Sequence, residues 1–119
     1  MALGRKNIEY RDHTDEVLSA LDKAIKKGLT EIGIEAETNA VYKITSYPAV
    51  DTGRLRNSIT HAVDADEKAA YIGTNVEYAP YVELGTIKMQ ARPFLKPAAT
   101  EHSEEYKEIM EAALKSAEE

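Results

Sequence analysis

Leu18, Leu21, Ile25, Leu29, Ile32, Ala36, Ala40 and Ile44 step by three or four along the chain, and no other feature constrains the fold as much. A repeat of about 3.6 residues gathers them on one face, so the spacing predicts an amphipathic α-helix. Asp12 or Thr14 can cap its start, and Asp15 and Glu16 then fall in the first turn, where acids suit the helix dipole. Pro48 ends it and pushes Tyr47 out of helical geometry. Unbroken to about Ser46, this helix has about 33 residues and spans roughly 50 Å. A compact 100-residue domain has a radius of gyration of only about 13 Å. The helix must therefore protrude, find a partner or break. Gly28 and Gly33 are the expected weak points, each about 1 kcal/mol worse than Ala.

The rest of the chain reads as short pieces. Asp51 is placed to cap a single helical turn that holds Leu55. Ile59 to Val63 is short, alternating and β-branched, Ala69 to Ile72 reads as a second strand, and the turn Asp64 to Lys68 joins them, which predicts a β-hairpin. Val76 to Leu84 predicts a short helix from about Tyr78, with Pro80 in its first turn and Gly85 as its stop. Thr86 to Arg92 reads as a loop, and Phe94-Leu95 as an extended piece between Pro93 and Pro97. A final helix is expected from Pro97, with Tyr106, Ile109, Met110, Ala113 and Leu114 on its apolar face. The fold class is α+β: a long N-terminal helix and a C-terminal helix packed on one face of a small antiparallel sheet with a short helical insert. Residues 1–12 read as a flexible N-terminal arm, and residues 13–119 as one domain.

Charge narrows the partners. The chain has 119 residues and a net charge of −6. Residues 1–50 carry 7 basic and 8 acidic side chains, residues 51–97 carry 6 and 6, and residues 98–119 carry 2 and 7. Five of the six excess negatives thus sit at the end. Phosphate-driven affinity needs the opposite sign, so sequence-specific nucleic-acid binding and attachment to anionic lipid are disfavoured. No stretch approaches the roughly 18 apolar residues that span a bilayer. There is no cysteine, which removes thiol catalysis and thiolate metal sites and suits the cytosol. A neutral middle and an acidic end fit a protein whose partners are other proteins.

Catalytic chemistry finds little support. His13, His61 and His102 are dispersed, and His102 with Glu105 is the weakest kind of metal spacing. There is no Gly-x-Ser-x-Gly elbow and no His-Glu-x-x-His pair. Glu77 and Glu83 are expected to cap or hydrogen-bond backbone rather than to serve as an acid–base pair, and Arg92 is a candidate partner for Glu83. No catalytic residue, metal or cofactor is expected. Tyr71, Tyr78, Tyr81 and Phe94 are expected mostly in the core. Ile87 and Met89 lie in a loop with no local apolar partner, either a protein contact or a loop folded back on its own core.

Three segments carry a resemblance. Asp51-Thr-Gly-Arg-Leu-Arg-Asn-Ser-Ile59 is followed by Glu77-Tyr-Ala-Pro-Tyr-Val-Glu-Leu-Gly-Thr86 and then Met89-Gln-Ala-Arg-Pro-Phe-Leu-Lys-Pro-Ala98. In this order and spacing, residues 48–98 resemble the neck, or tail-component, family of long-tailed bacteriophages and prophages. The flanking helices match in placement. One departure is the turn Pro48-Ala49-Val50-Asp51, where the family's proline often stands directly before the valine.

The resemblance implies a non-enzymatic structural protein of the head–tail junction, in the neck or in tail completion. It implies a homo-oligomeric ring around the DNA channel, often six-fold, with neighbouring head-connector and tail proteins as partners. The locations implied are the host bacterial cytoplasm during assembly and then the virion. Asp51 and Gly53 would make a tight turn anchored by Leu55. Tyr78, Tyr81 and Phe94 would fix the insert to the sheet, Gly85 would release the loop before Pro93, and Thr86, Ile87, Lys88, Met89 and Arg92 would contact the next subunit. The rival readings are a cytosolic adaptor that binds a protein through the long helix and a metal-dependent hydrolase using Glu77, Glu83 and a histidine.

Overall fold

The computed structural model describes residues 2–47 and 53–117, with side chains from Thr14 onward within that range. One helix, α1 (Ala2–Thr45), forms the spine. It starts well before the caps expected at Asp12 and Thr14, because Arg5, Lys6, Glu9 and Arg11 are good helix formers and an N-cap residue only ends a helix when the chain before it turns away. Its 44 residues span about 66 Å. The molecule measures 77 × 22 × 21 Å with a radius of gyration of 20.3 Å, so of the three outcomes open to the helix it protrudes and does not break.

Along α1 come α2 (Gly53–Ser58), the strands β1 (Thr60–Asp64) and β2 (Ala69–Gly73), and the helices α3 (Ala79–Leu84), α4 (Leu95–Thr100) and α5 (Ser103–Ser116). β1 and β2 pair antiparallel, with Ala62 opposite Tyr71. Asp64 Oδ1 accepts the Glu67 N–H at 3.1 Å and Lys68 takes a positive φ of 55°, which closes the hairpin where the sequence placed its turn. Strand alternation buries Ala70 and Ile72 in part and sends Tyr71 outward.

The core sits at the C-terminal end of α1. Ala40 and Ile44 meet Leu55, Ile59, Val76, Ala79, Val82, Phe94 and Ala98. Phe94, Ile44 and Leu55 are the largest side chains fully removed from solvent. Burying one such side chain contributes about 1.5–3 kcal/mol.

Gly28 and Gly33 do not break α1. They are notches for other elements. A Cβ on Gly28 would stand 2.7 Å from the Met110 sulfur and 3.1 Å from Ala113 Cβ of α5. A Cβ on Gly33 would stand 2.9 Å from the His61 ring of β1. With Asn39 of α1 bonded to Tyr106 and Gly28 against Met110, α5 runs antiparallel to α1.

The C-terminal region departs from expectation in two ways. The helix starts at Leu95 rather than Pro97, so Phe94-Leu95 is not an extended piece. It also breaks at Glu101-His102 into α4 and α5. Besides the core, the Tyr106 hydroxyl fixes this corner: it receives a hydrogen bond from Asn39 Nδ2 at 3.0 Å and donates to the Ala98 carbonyl. α1 lies against both strands, and α5 packs along α1.

Candidate functional site

The segment from α3 to α4 carries most of the residues singled out by sequence. Ala79-Pro80 opens α3, where the missing proline N–H costs nothing. Val82 and Ala79 turn inward. Tyr81 and Leu84, three apart, share the opposite side and are 59% and 77% exposed. Gly85 ends the helix at φ 78°, with its N–H bonded to the Tyr81 carbonyl at 2.8 Å. A Cβ there would meet the Ala91 nitrogen at 2.7 Å and the Met89 carbonyl oxygen at 2.9 Å. Only glycine fits both the backbone angle and the space.

The loop that follows is tightly made. Thr86 and Met89 exchange backbone hydrogen bonds at 2.8 and 3.3 Å, and the Thr86 hydroxyl accepts the N–H groups of Lys88 and Met89. The Arg92 N–H donates to the Val82 carbonyl at 2.7 Å. Met89 packs against the core, whereas Ile87 at the tip is fully exposed. The two readings of this loop thus divide between its two apolar residues. Lys88 is exposed and Arg92 half-buried.

Glu83 explains the early start of α4. Its Oε1 accepts the N–H groups of Phe94 and Leu95 at 3.0 and 2.8 Å, and its Oε2 that of Lys96 at 3.2 Å. These are first-turn donors that a helix cannot satisfy by itself. The carboxylate is used on backbone, as expected, and not on Arg92. Glu77 forms a two-pronged pair with Arg54 at 3.0 and 3.1 Å, and the guanidinium lies 5.6 Å from the centre of the Tyr78 ring. The Glu77 backbone N–H and then Arg54 hold its carboxyl below the usual range.

The other motif residues are placed as follows. Asp51 and Pro48 lie outside the described residues. Gly53 opens α2, and Leu55 and Phe94 are fully buried. Tyr78 packs on the core. The Pro93 carbonyl accepts the Tyr47 hydroxyl at 2.8 Å. Tyr81 and Tyr71 are corrections: both are more than half exposed, and Tyr71 donates to Glu67 at 2.7 Å, which raises its pKa. Being aromatic did not decide burial; the face of the helix or strand did. Sequence reasoning passed over Leu84, although its spacing from Tyr81 and its place beside Gly85 could have flagged it.

His61 sits 3.3 Å from Glu37, and His102 3.3 Å from Glu105. Glu35 of α1 faces Glu105; sharing a hydrogen bond with it, with some burial besides, raises the Glu35 pKa. Burial also raises the Tyr106 pKa, against the hydrogen bond from Asn39. Among the described residues, no group of three or more His, Cys, Asp or Glu side chains could hold a metal ion. Among them, too, no helix is long and apolar enough to cross a membrane.

A rod with a small core at one end, exposed apolar side chains on a hydrogen-bonded tip and carboxylates used for structure describes a protein that contacts other proteins. The chain belongs to the family described as "Bacteriophage HK97-gp10, putative tail-component", whose model matches residues 9–85. The match takes in most of α1, the hairpin and α3, and stops at Gly85, two residues before the exposed Ile87. No curated protein and no solved structure matches the chain.

Proposed function

We propose that this protein is a non-catalytic structural subunit of the head–tail junction, acting in the neck or in tail completion. It assembles in the bacterial cytoplasm as a homo-oligomeric ring around the DNA channel and stays in the virion, against head-connector and tail proteins. The observation that carries the reading is the tip after α3. Leu84 at the end of α3 and Ile87, which the Thr86–Met89 hydrogen bonds hold in place, are apolar and exposed, although a free chain gains nothing by displaying them. Thr86, Ile87, Lys88, Met89 and Arg92 form the subunit-contact loop, with Met89 tying it to the core. Gly53, Leu55, Tyr78, Gly85, Pro93 and Phe94 hold its base.

The test is deletion of the gene in the parent phage or prophage, followed by negative-stain electron microscopy of the lysate. Filled heads beside separate, well-formed tails are expected for a protein of the joint. Tails of abnormal length move it to tail completion. Intact infectious particles overturn the structural role and favour a second reading, a host-protein adaptor acting through α1. The feature behind that alternative is that every residue from Thr14 to Lys23 is exposed.

A further inference from the structure

The tip is convex, and the molecule carries a concave apolar surface elsewhere. Val17, Ala20 and Leu21 of α1 and Leu114 and Ala117 at the end of α5 line an open groove of about 690 Å³. Val17 and Leu21 are 62% and 38% exposed, so both keep apolar surface uncovered by the described residues. We propose that the Leu84–Ile87 tip of one copy seats in this α1–α5 groove of the next copy, an inference that rests on ring assembly.

Charge selects this pairing. The loop from Gly85 to Pro93 carries Lys88 and Arg92 and no acid. Glu16 lines the α1 wall of the groove beside Val17, and Asp15 precedes it in a stretch, residues 14–22, that has no Lys or Arg. On the other wall the lining residues are Leu114 and Ala117, both uncharged. A cationic apolar tip and an acidic apolar groove attract each other, whereas groove against groove or tip against tip brings like charges together.

Distance excludes the tip of the same chain. The tip is rooted beside Ile44, since Val82 and Met89 pack in the same core. From Ile44 to Leu21 is 23 residues of helix, about 35 Å. A contact between two different surfaces of identical copies is heterologous, so it builds a closed ring or an open filament rather than a two-fold dimer.

The protein has no cysteine, so paired thiols report contacts cleanly. Ile87→Cys and Leu21→Cys proteins, each alone and then mixed, are treated with a short bismaleimide. The expected result is a cross-linked pair only in the mixture, and a ladder from the doubly substituted chain. Ile87→Asp is expected to lose the oligomer in sedimentation velocity with an unchanged melting temperature. Cross-linking of Ile87→Cys to itself alone overturns the pairing in favour of a two-fold contact. Oligomers that persist in Ile87→Asp, or a mixture that gives no cross-link while the unmodified chain is oligomeric, overturn the docking and leave the ring intact. An unmodified chain that stays monomeric at every concentration overturns both.

Discussion

The two ends of α1 obey the same apolar period and have opposite fates. From Ala36 to Ile44 the stripe is roofed by α2, the hairpin, Phe94 and Ala98. From Thr14 to Lys23 every residue is exposed, including Val17, Leu18 and Leu21. Periodicity therefore establishes that a segment is helical and which side is apolar. Whether the partner for that side belongs to the same chain is a separate matter. Among the described residues, a core covers one end of the roughly 66 Å helix, and α5 and the hairpin lie along its middle.

Substitutions along the molecule sharpen this contrast. The largest effect belongs to the packed end. Phe94→Ala should cost about 3–5 kcal/mol in chemical denaturation, because the ring is fully buried and leaves a cavity. Glu83→Ala comes next, at roughly 1.5–3 kcal/mol, since it strands three backbone donors at the start of α4. A loss of helical circular dichroism larger than the six residues of α4 can account for would show that the cap also holds α3.

The middle of the helix gives a smaller effect whose sign depends on pH. The Glu35 pKa is raised in the folded state, chiefly by its hydrogen bond to Glu105. Its contribution is therefore present below the ordinary glutamate value near 4.5 and is lost as pH rises through the raised value. Glu35→Gln should raise stability at pH 7 by a few tenths of a kcal/mol after solvent screening, read as a small rise in melting temperature, with the gain vanishing near pH 4. A gain that is constant across that range would mean that the two carboxyls do not share a proton.

The projecting end gives the least. Leu18→Ser should change monomer stability by less than about 0.5 kcal/mol, measured by thermal melting at low concentration. A cost above about 1 kcal/mol would show that Leu18 is already covered within one chain, and the contrast between the two ends would collapse.

What the sequence disclosed follows the same division between local and tertiary causes. The hairpin and the short helix with Pro80 inside and Gly85 after it were legible, because each depends on neighbours a few residues away; that Glu77 and Glu83 serve structure was legible as a role, but not their partners, which lie 11 to 23 residues off. The start of α1 was not, since good helix formers carry the helix past Asp12 and Thr14. The start of α4 was not, since its cap comes from Glu83, eleven residues upstream of Phe94. Gly28 and Gly33 read as flaws in a helix until Met110 and His61 are placed against them. In the candidate site, Ile87 and Gly85 were legible from loop position and turn chemistry. The exposure of Tyr81 and Leu84 was not, because it depends on which side of a six-residue helix Val82 takes into the core.

The uninterrupted run of α1 through Gly28 and Gly33 has a mechanical consequence. A helix without a joint is a lever: it converts rotation at one end into displacement at the other. With the core as fulcrum and about 66 Å of arm, a tilt of about 5° moves the far end by about 5 Å, the height of one helical turn. Anything that grips the core end of this molecule can thereby report its angle to whatever rests on the free end.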